Sequence, residues 1–400
     1  MSLNASLLDS ILEKHVSVDR TLTNKIQAAA FVVIEENGDT LYANAVGSLT
    51  LEEDAPPFSL DSVCWVASMT KLYTAVAVMQ LVEKGAIDLD DDVGKLIPEL
   101  SNKDILKGFQ KDKTPILRKS TKPITLRHLL THSSGFCYDY FNRNIKKWSA
   151  SVGRKIDYRL NTIESFNYPL LFEPGKGWEY GIGLDWAGRI LEILSDCTLE
   201  EYMQRNIFES LGISSSTFYI SDHPELASRR AGIGFRSSPN EPLTSRAEPA
   251  PSNLPLARGG NGIYTTPNDY AKLLGALINT DNGILEPESL EEFFKPQLAN
   301  PKHLQIFSDG PMHDSVFPEF PMKMAINHGL GGAVNMEDVP GKRRKGSMTW
   351  SGATGSRWFI DLETGIAAVM FTQVFPFGDH VVSQLYDELE SALYRSLRGE

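Results

Sequence analysis

The stretch Ser68-Met69-Thr70-Lys71, continuing through Leu72, Val76, Met79 and Val82 to Gly85, puts a hydroxyl and an amine one helical turn apart at the head of an apolar helix. Residues three apart share a helix face, so the two side chains meet. Ser68 falls in the first turn, where free backbone N–H groups collect. A lysine partly desolvated among apolar neighbours can lose its proton near neutral pH and take one from serine, otherwise a poor nucleophile. Ser-x-x-Lys also arises by chance in a chain of 400 residues. The plain alternative is an N-capping serine beside a solvated lysine, and the rest of the chain has to decide.

Two further segments bear on it. Trp178-Glu179-Tyr180-Gly181-Ile182-Gly183-Leu184-Asp185-Trp186-Ala187-Gly188 is a Gly-rich loop entering an apolar helix (Ile190, Leu191, Ile193, Leu194). A tyrosine at such a junction can reach a neighbouring pocket, where a cationic lysine would stabilise its phenolate as a second proton acceptor. The alternative is a core tyrosine. Trp350-Ser351-Gly352-Ala353 closes a short run ahead of the strand-like Arg357-Trp358-Phe359-Ile360-Asp361. Small residues at a strand edge let a carbonyl approach the backbone, so the amides of Ser68 and Ala353 are candidates for an oxyanion hole; otherwise this is an ordinary turn.

In this order and at these separations the three elements resemble the serine β-lactamase and penicillin-binding-protein superfamily, whose signature begins with Ser-x-x-Lys and usually ends in Lys-Thr-Gly. The resemblance covers most of the chain. It takes in Leu126-Arg127-His128-Leu129-Leu130-Thr131-His132-Ser133-Ser134-Gly135 and the run Ala257 to Tyr270, both similar to segments of the class C β-lactamase-like branch. Two departures stand out: Tyr180-Gly181-Ile182 replaces Tyr-x-Asn, and Trp350-Ser351-Gly352 replaces Lys-Thr-Gly. They remove the amide and the cation that hold a β-lactam, groups that an ester does not need. The Trp-x-Gly motif is similar to that of carboxylesterases on this fold, and Tyr180 to Gly188 looks most like fungal acyltransferases of the lovastatin-transesterase type.

The resemblance implies an α/β, β-lactamase-like fold: an antiparallel sheet flanked by helices, built from residues 1–90 and 310–400, plus a mostly helical domain of residues 91–309. It implies Ser68 as acyl-carrying nucleophile, Lys71 and Tyr180 as general base and acid, and Trp350, Ser351 and Gly352 as the wall beside the oxyanion strand. Ile182 would line the site in place of a polar anchor. The reaction implied is transfer of an acyl group from a thioester or ester, with an acyl carrier protein as a candidate donor, to a small-molecule alcohol of secondary metabolism. No cofactor or metal is called for. Tyr138, Tyr140 and Phe141 are candidates to line an apolar acyl or alcohol pocket, the alternative being core packing. The competing functions are carboxylester hydrolysis, β-lactam hydrolysis and non-catalytic binding on the same fold. Retention of Ser68, Lys71 and Tyr180 together favours an enzyme.

A net charge of −12 and a pI near 5.3 argue against nucleic acid and anionic membrane as partners. The run Lys342-Arg343-Arg344-Lys345 reads as a solvated hairpin tip. The N-terminal twenty residues read as a short amphipathic helix without a signal-like apolar core, which points to a cytoplasmic protein. Cys64, Cys137 and Cys197 suit reduced thiols. His128 and His132 have the i, i+4 spacing of a zinc pair, but no glutamate sits beside His128; His132 reads instead as a helix-ending hydrogen-bond donor. Ala28 to Ile34 and Thr40 to Val46 read as a hairpin turning at Glu36-Asn37-Gly38-Asp39. Ser347 to Trp350, Ser356 to Ile360 and Ile366 to Val374 read as late strands, and Val381 to Leu397 as a closing helix.

Overall fold

A computed structural model of the protein describes residues 3–17, 22–155, 162–247, 256–279, 283–311 and 313–400. The elements that frame the site are, in chain order, α1 (Ala5–His15), β1 (Ala28–Glu35), β2 (Thr40–Gly47), α2 (Thr70–Glu83), β3 (Asp104–Phe109), β4 (Pro115–Lys119), α3 (Leu126–Leu130), α4 (Arg143–Ser151), α5 (Gly183–Ser195), α6 (Pro267–Ile278), β5 (Ile326–His328), β6 (Ala333–Asn335), β7 (Met348–Ser351), β8 (Arg357–Asp361), β9 (Ile366–Phe371) and α7 (His380–Leu397).

Ala28 to Ile34 is apolar at every position, which suits a strand covered on both faces. It lies second in a seven-stranded antiparallel sheet of order β2-β1-β9-β8-β7-β6-β5. Side-chain alternation splits the strand between two cores. Ala29, Phe31 and Val33 pack with Leu8 and Leu12 of α1 and with Leu385, Leu389 and Leu393 of α7. Ala28, Ala30, Val32 and Ile34 face the larger core holding α2 and α6. Each of these leucines, fully buried, stabilises the fold by roughly 2 kcal/mol through apolar burial. The β1–β2 hairpin turns where the Glu36-Asn37-Gly38-Asp39 signal places it: the Glu35 amide donates to the Asp39 carbonyl, and Gly38 takes φ +87°.

All seven strands come from residues 28–47 and 326–371. Helix α6, from the middle of the chain, nevertheless packs on β1 and β9. Three sequence expectations need correction. The run Ile366 to Val374 is not one strand: it ends at Phe371, and Val374–Phe375 pairs instead with Ile233–Phe235. The short strands β5 and β6 were not anticipated. The basic run 342–345 is only partly a solvated tip: Arg344 and Lys345 are exposed, but the first half is tied down. Arg343 is fully buried, its Nε donating to Glu390 at 2.7 Å and its Nη2 to the Tyr386 hydroxyl at 2.9 Å, while Lys342 pairs with Asp387. Glu390 is buried on α7, and a carboxylate there needs a cation beside it. Among the described residues no helix is long and apolar enough to cross a membrane.

Candidate active site

Ser68 sits in a 3-10 turn (Ala67–Met69) that feeds directly into α2. The preceding residue, Ala67, has φ +46°, a left-handed conformation that costs a non-glycine residue about 1 kcal/mol or more and is held by the surrounding packing. One turn on, Lys71 is 3% exposed. Its Nζ donates to Ser68 Oγ at 3.1 Å, to the Tyr138 hydroxyl at 3.1 Å and to the Gly260 carbonyl at 2.6 Å. These three oxygens match the three donor hydrogens of an ammonium, a form with no lone pair left to accept a proton. From the loop ahead of α5, the Tyr180 hydroxyl donates to Ser68 Oγ at 2.6 Å. The Tyr180 ring lies 4.8 Å from Lys71 Nζ, within cation–π range. A solvated lysine beside a capping serine is therefore ruled out by geometry.

The run Ala257 to Tyr270 builds the floor beneath Lys71. The Gly260 amide donates to Asp185 Oδ1 at 3.1 Å while its carbonyl takes the lysine. A Cβ at Gly260 would stand 2.7 Å from Asp185 Oδ2, so the close approach requires glycine there. The Thr74 hydroxyl donates to the Gly259 carbonyl at 2.7 Å, and the Tyr270 hydroxyl to the Met69 carbonyl at 3.0 Å, tying α2 to the same run. Burial pushes the Asp185 carboxyl up from its ordinary value, opposed by Arg258 and Lys71.

His132 accounts for the placement of Tyr180. Its carbonyl accepts from the Glu179 amide at 3.0 Å and its Nδ1 accepts from the Gly181 amide at 3.4 Å, while the Tyr180 carbonyl accepts from the Tyr138 amide at 3.2 Å. Three consecutive residues are thus clamped. The His132 ring meets the Tyr180 ring edge-on at 4.8 Å. Its role is that of an acceptor, not the helix-ending donor expected, and burial beside His328 and Lys71 holds it neutral by lowering its pKa well below the usual histidine value. His128 goes elsewhere, its Nδ1 accepting from the Thr125 amide in a capping box. Among the described residues no group of three or more metal-ligating side chains gathers.

The remaining candidate residues fall into four settings. The Trp350 ring lies 5.4 Å from Tyr180 and 6.3 Å from His132, walling that side with Trp178 and His328. Tyr138 is buried against Lys71, and burial raises its hydroxyl well above the ordinary tyrosine range; the Tyr140 ring packs tilted against it at 5.3 Å and the largely exposed Phe141 ring edge-on at 6.4 Å. Ile182, at the head of α5 two residues after Tyr180, is 3% exposed and packs in the same buried cluster as Tyr138 and Trp350. Ser351 ends β7 and pairs with Arg357. Gly352 abuts the turn before Ser68, since a Cβ there would come within 2.4 Å of the Val66 carbonyl. Ala353 packs with Trp65 and Ala67 beside that turn.

His328, Asp185 and the Gly260 carbonyl escaped sequence reasoning, as did the clamp formed by His132. His328 donates from Nδ1 to the Gly329 carbonyl at 2.5 Å, which leaves Nε2 as an acceptor, buried and without a hydrogen-bond partner among the described residues. No motif signals such a residue. The Gly259-Gly260 pair was visible, and its meaning as a cradle for Lys71 follows only from the contact.

A hydroxyl held between a lysine and a tyrosine on the first turn of a helix beside an antiparallel sheet is the arrangement of serine acyl-transferring enzymes. The chain belongs to the Beta-lactamase family, whose model matches residues 18–392. Within that family it stands with acyltransferases and esterases. It is 35% identical over 388 residues to the lovastatin esterase of Penicillium rubens, covering 93% of this chain and 95% of that one. It is 32% identical over 386 residues to the monacolin J acid methylbutanoyltransferase of Aspergillus terreus, covering 93% and 92%. Among solved structures, a mutant simvastatin synthase from Aspergillus terreus superposes with a TM-score of 0.89 at 31% identity, covering 99% of this chain and 96% of that one.

Proposed function

We propose that Ser68 attacks an ester or thioester, carries the acyl group covalently, and passes it to a small-molecule alcohol of secondary metabolism. The observation that supports this most is the position of Ser68 Oγ, 3.1 Å from Lys71 Nζ and 2.6 Å from the Tyr180 hydroxyl. In this reading Tyr180, as phenolate beside Lys71, takes the Ser68 proton along the same 2.6 Å contact run in reverse. Attack on the acyl carbonyl gives a tetrahedral oxyanion received by the amides of Ser68 and Ala353. Collapse expels the thiolate or alkoxide, to which Tyr180 returns the proton. An alcohol then repeats the sequence on the acyl-enzyme, and Ser68 leaves. The two half-reactions are ping-pong.

Trp350 and the Tyr138, Tyr140 and Phe141 cluster form the acyl and acceptor walls in this reading, and an acyl carrier protein is among the donors. Two buried free thiols, Cys64 and Cys137, support a reducing compartment such as the cytoplasm. Hydrolysis is the second reading, supported by the 35% identity to a lovastatin esterase. Intact-mass analysis after exposure to a short acyl thioester tests the first step: one acyl adduct is expected, mapping to Ser68. No adduct, or an adduct elsewhere, overturns the mechanism. Partition of the loaded enzyme between added polyketide alcohols and water then separates transferase from esterase. Free acid dominating at saturating acceptor would make it an esterase. With the polar anchors of a β-lactam replaced by Ile182 and Trp350, nitrocefin turnover is expected to lag ester turnover by about 100-fold or more.

A further inference from the structure

In a chain of net charge −12, residues 103–122 carry seven Lys and Arg against two Asp, and α4 adds Arg143, Lys146 and Lys147 with no acid. Hairpin β3–β4 and helix α4 meet directly: Lys147 Nζ lies 3.9 Å from the centroid of the Phe109 ring. Only Arg118 and Lys119 on the hairpin are neutralised, by Glu173 and Asp104. Lys107, Lys111, Lys113, Lys122, Arg143 and Lys146 are exposed and have no carboxylate partner among the described residues. Solvated lysines alone would mean little. The same two segments, with the turn before α4, also expose Ile116, Leu117, Phe141 and Val152, four of the eight large apolar side chains exposed among the described residues. Apolar groups set among unpaired charges of one sign are the composition of a protein-binding surface.

The surface also begins at the site. The Tyr138 hydroxyl contacts Lys71, the Tyr138 carbonyl accepts the amides of Phe141 and Asn142, and Asn142 caps α4. From Lys71 to the basic helix is therefore a single turn of chain.

We infer that hairpin β3–β4 and helix α4 form the docking surface for an acidic acyl carrier protein, which reaches Ser68 past Phe141 with its acyl group on a flexible thiol arm. This rests on the acyl-transfer reading above. Charge complementarity selects the partner: the chain carries a net charge of −12 while this face carries unpaired positive charge, and the interleaved apolar side chains fit a folded partner better than a phosphate backbone. A contact of this kind speeds encounter and weakens with salt.

The test compares one acyl group in two forms: butyryl on the phosphopantetheine arm of a purified acidic acyl carrier protein, and butyryl on N-acetylcysteamine. The variant Lys107→Glu/Lys111→Glu/Lys113→Glu/Lys146→Glu touches no residue of the site. Its kcat/KM is expected to fall about 10-fold or more with the carrier-bound donor and to stay unchanged with the small thioester. Raising NaCl from about 50 mM to about 500 mM should remove most of that difference. Leu117→Asn, which alters the apolar part without adding charge, should lower carrier-bound transfer without touching the small donor. Equal kcat/KM for variant and parent on the carrier overturns the docking surface while leaving acyl transfer intact, as does retention of the parent, but not the variant, on phosphatidylserine vesicles with carrier rates unchanged. Loading of Ser68 from neither donor overturns both.

Discussion

Two of the places where the protein buries an amine or guanidinium treat the cation differently. At α7, Arg343 lies within 2.7 Å of Glu390, and Arg357 on β8 reaches Glu319 at 3.3 Å; each basic group has a carboxylate in contact. At the site, Lys71 touches a serine hydroxyl, a tyrosine hydroxyl and a backbone carbonyl, and no carboxylate lies within ion-pair distance of it among the described residues. The nearest acid, Asp185, is held one residue away, on the Gly260 amide. A cation locked to a carboxylate fixes structure, because either partner alone would be stranded in an apolar interior. A cation surrounded by neutral oxygens keeps its field for charge that appears later, on a phenolate or an alkoxide. The first arrangement stabilises the fold and the second is suited to chemistry.

Substitutions at the two places should therefore separate activity from stability. Lys71→Met and Tyr180→Phe are each expected to lower the rate of Ser68 acylation by about 1000-fold or more, with the double variant little worse than either, because groups acting as one relay do not add. Their urea midpoints should stay close to that of the parent. An unchanged acylation rate in Tyr180→Phe would remove the tyrosine from the relay. Arg343→Met is expected to do the reverse, costing about 3 kcal/mol in urea unfolding by leaving buried Glu390 only Lys342, 3.4 Å away, with acylation per folded molecule near that of the parent. Loss of acylation without loss of stability in Arg343→Met would erase the contrast.

The smallest effect concerns two histidines whose pKa values burial lowers. Burial pulls His128 and His328 down to about 4, so the native state binds fewer protons than the unfolded chain between pH 4 and the ordinary histidine value near 6.5. Stability is thus fully present above about pH 6.5 and falls as pH drops, by up to about 1.4 kcal/mol per pH unit for each histidine. Asp185 and Glu179, whose carboxyls burial raises, oppose the loss in the lower part of that window. Denaturant midpoints at pH 7, 6 and 5, for the parent and for His328→Gln, should show a shallower slope in the variant. Identical slopes would mean His328 does not titrate on unfolding.

The candidate-site half of this contrast was the more legible in sequence. Ser68 and Lys71 share a helix, where spacing alone dictates contact, and Tyr180 announces itself by the Gly-rich junction it occupies. What surrounds them was not readable in the same way. The Gly260 carbonyl is a backbone group whose donor lies 189 residues away, and His132 acts on Tyr180 through main-chain amides that any residue supplies. Tyr138 was seen as an aromatic and not as a ligand of the lysine, because its hydroxyl gains a role only where two distant segments meet. The fold shows the same division. Strands β1, β2, β8 and β9 are long and apolar enough to declare themselves, whereas β5 and β6 are three residues each and exist through pairing with their neighbours. Arg343 was misplaced because a run of four basic residues looks solvated until the buried Glu390 opposite one of them is known.

Tyr138 has a consequence of another kind. Its hydroxyl holds Lys71, its amide holds the Tyr180 carbonyl, and its ring carries Tyr140 and Phe141 at the rim. A guest that presses on those aromatics therefore presses on the contacts of Lys71 and Tyr180, the proposed proton relay, too. Selectivity built this way is written in turnover more than in affinity: acceptors of equal affinity that seat the rim differently would differ in kcat, so a screen that ranks compounds by binding would misorder the substrates.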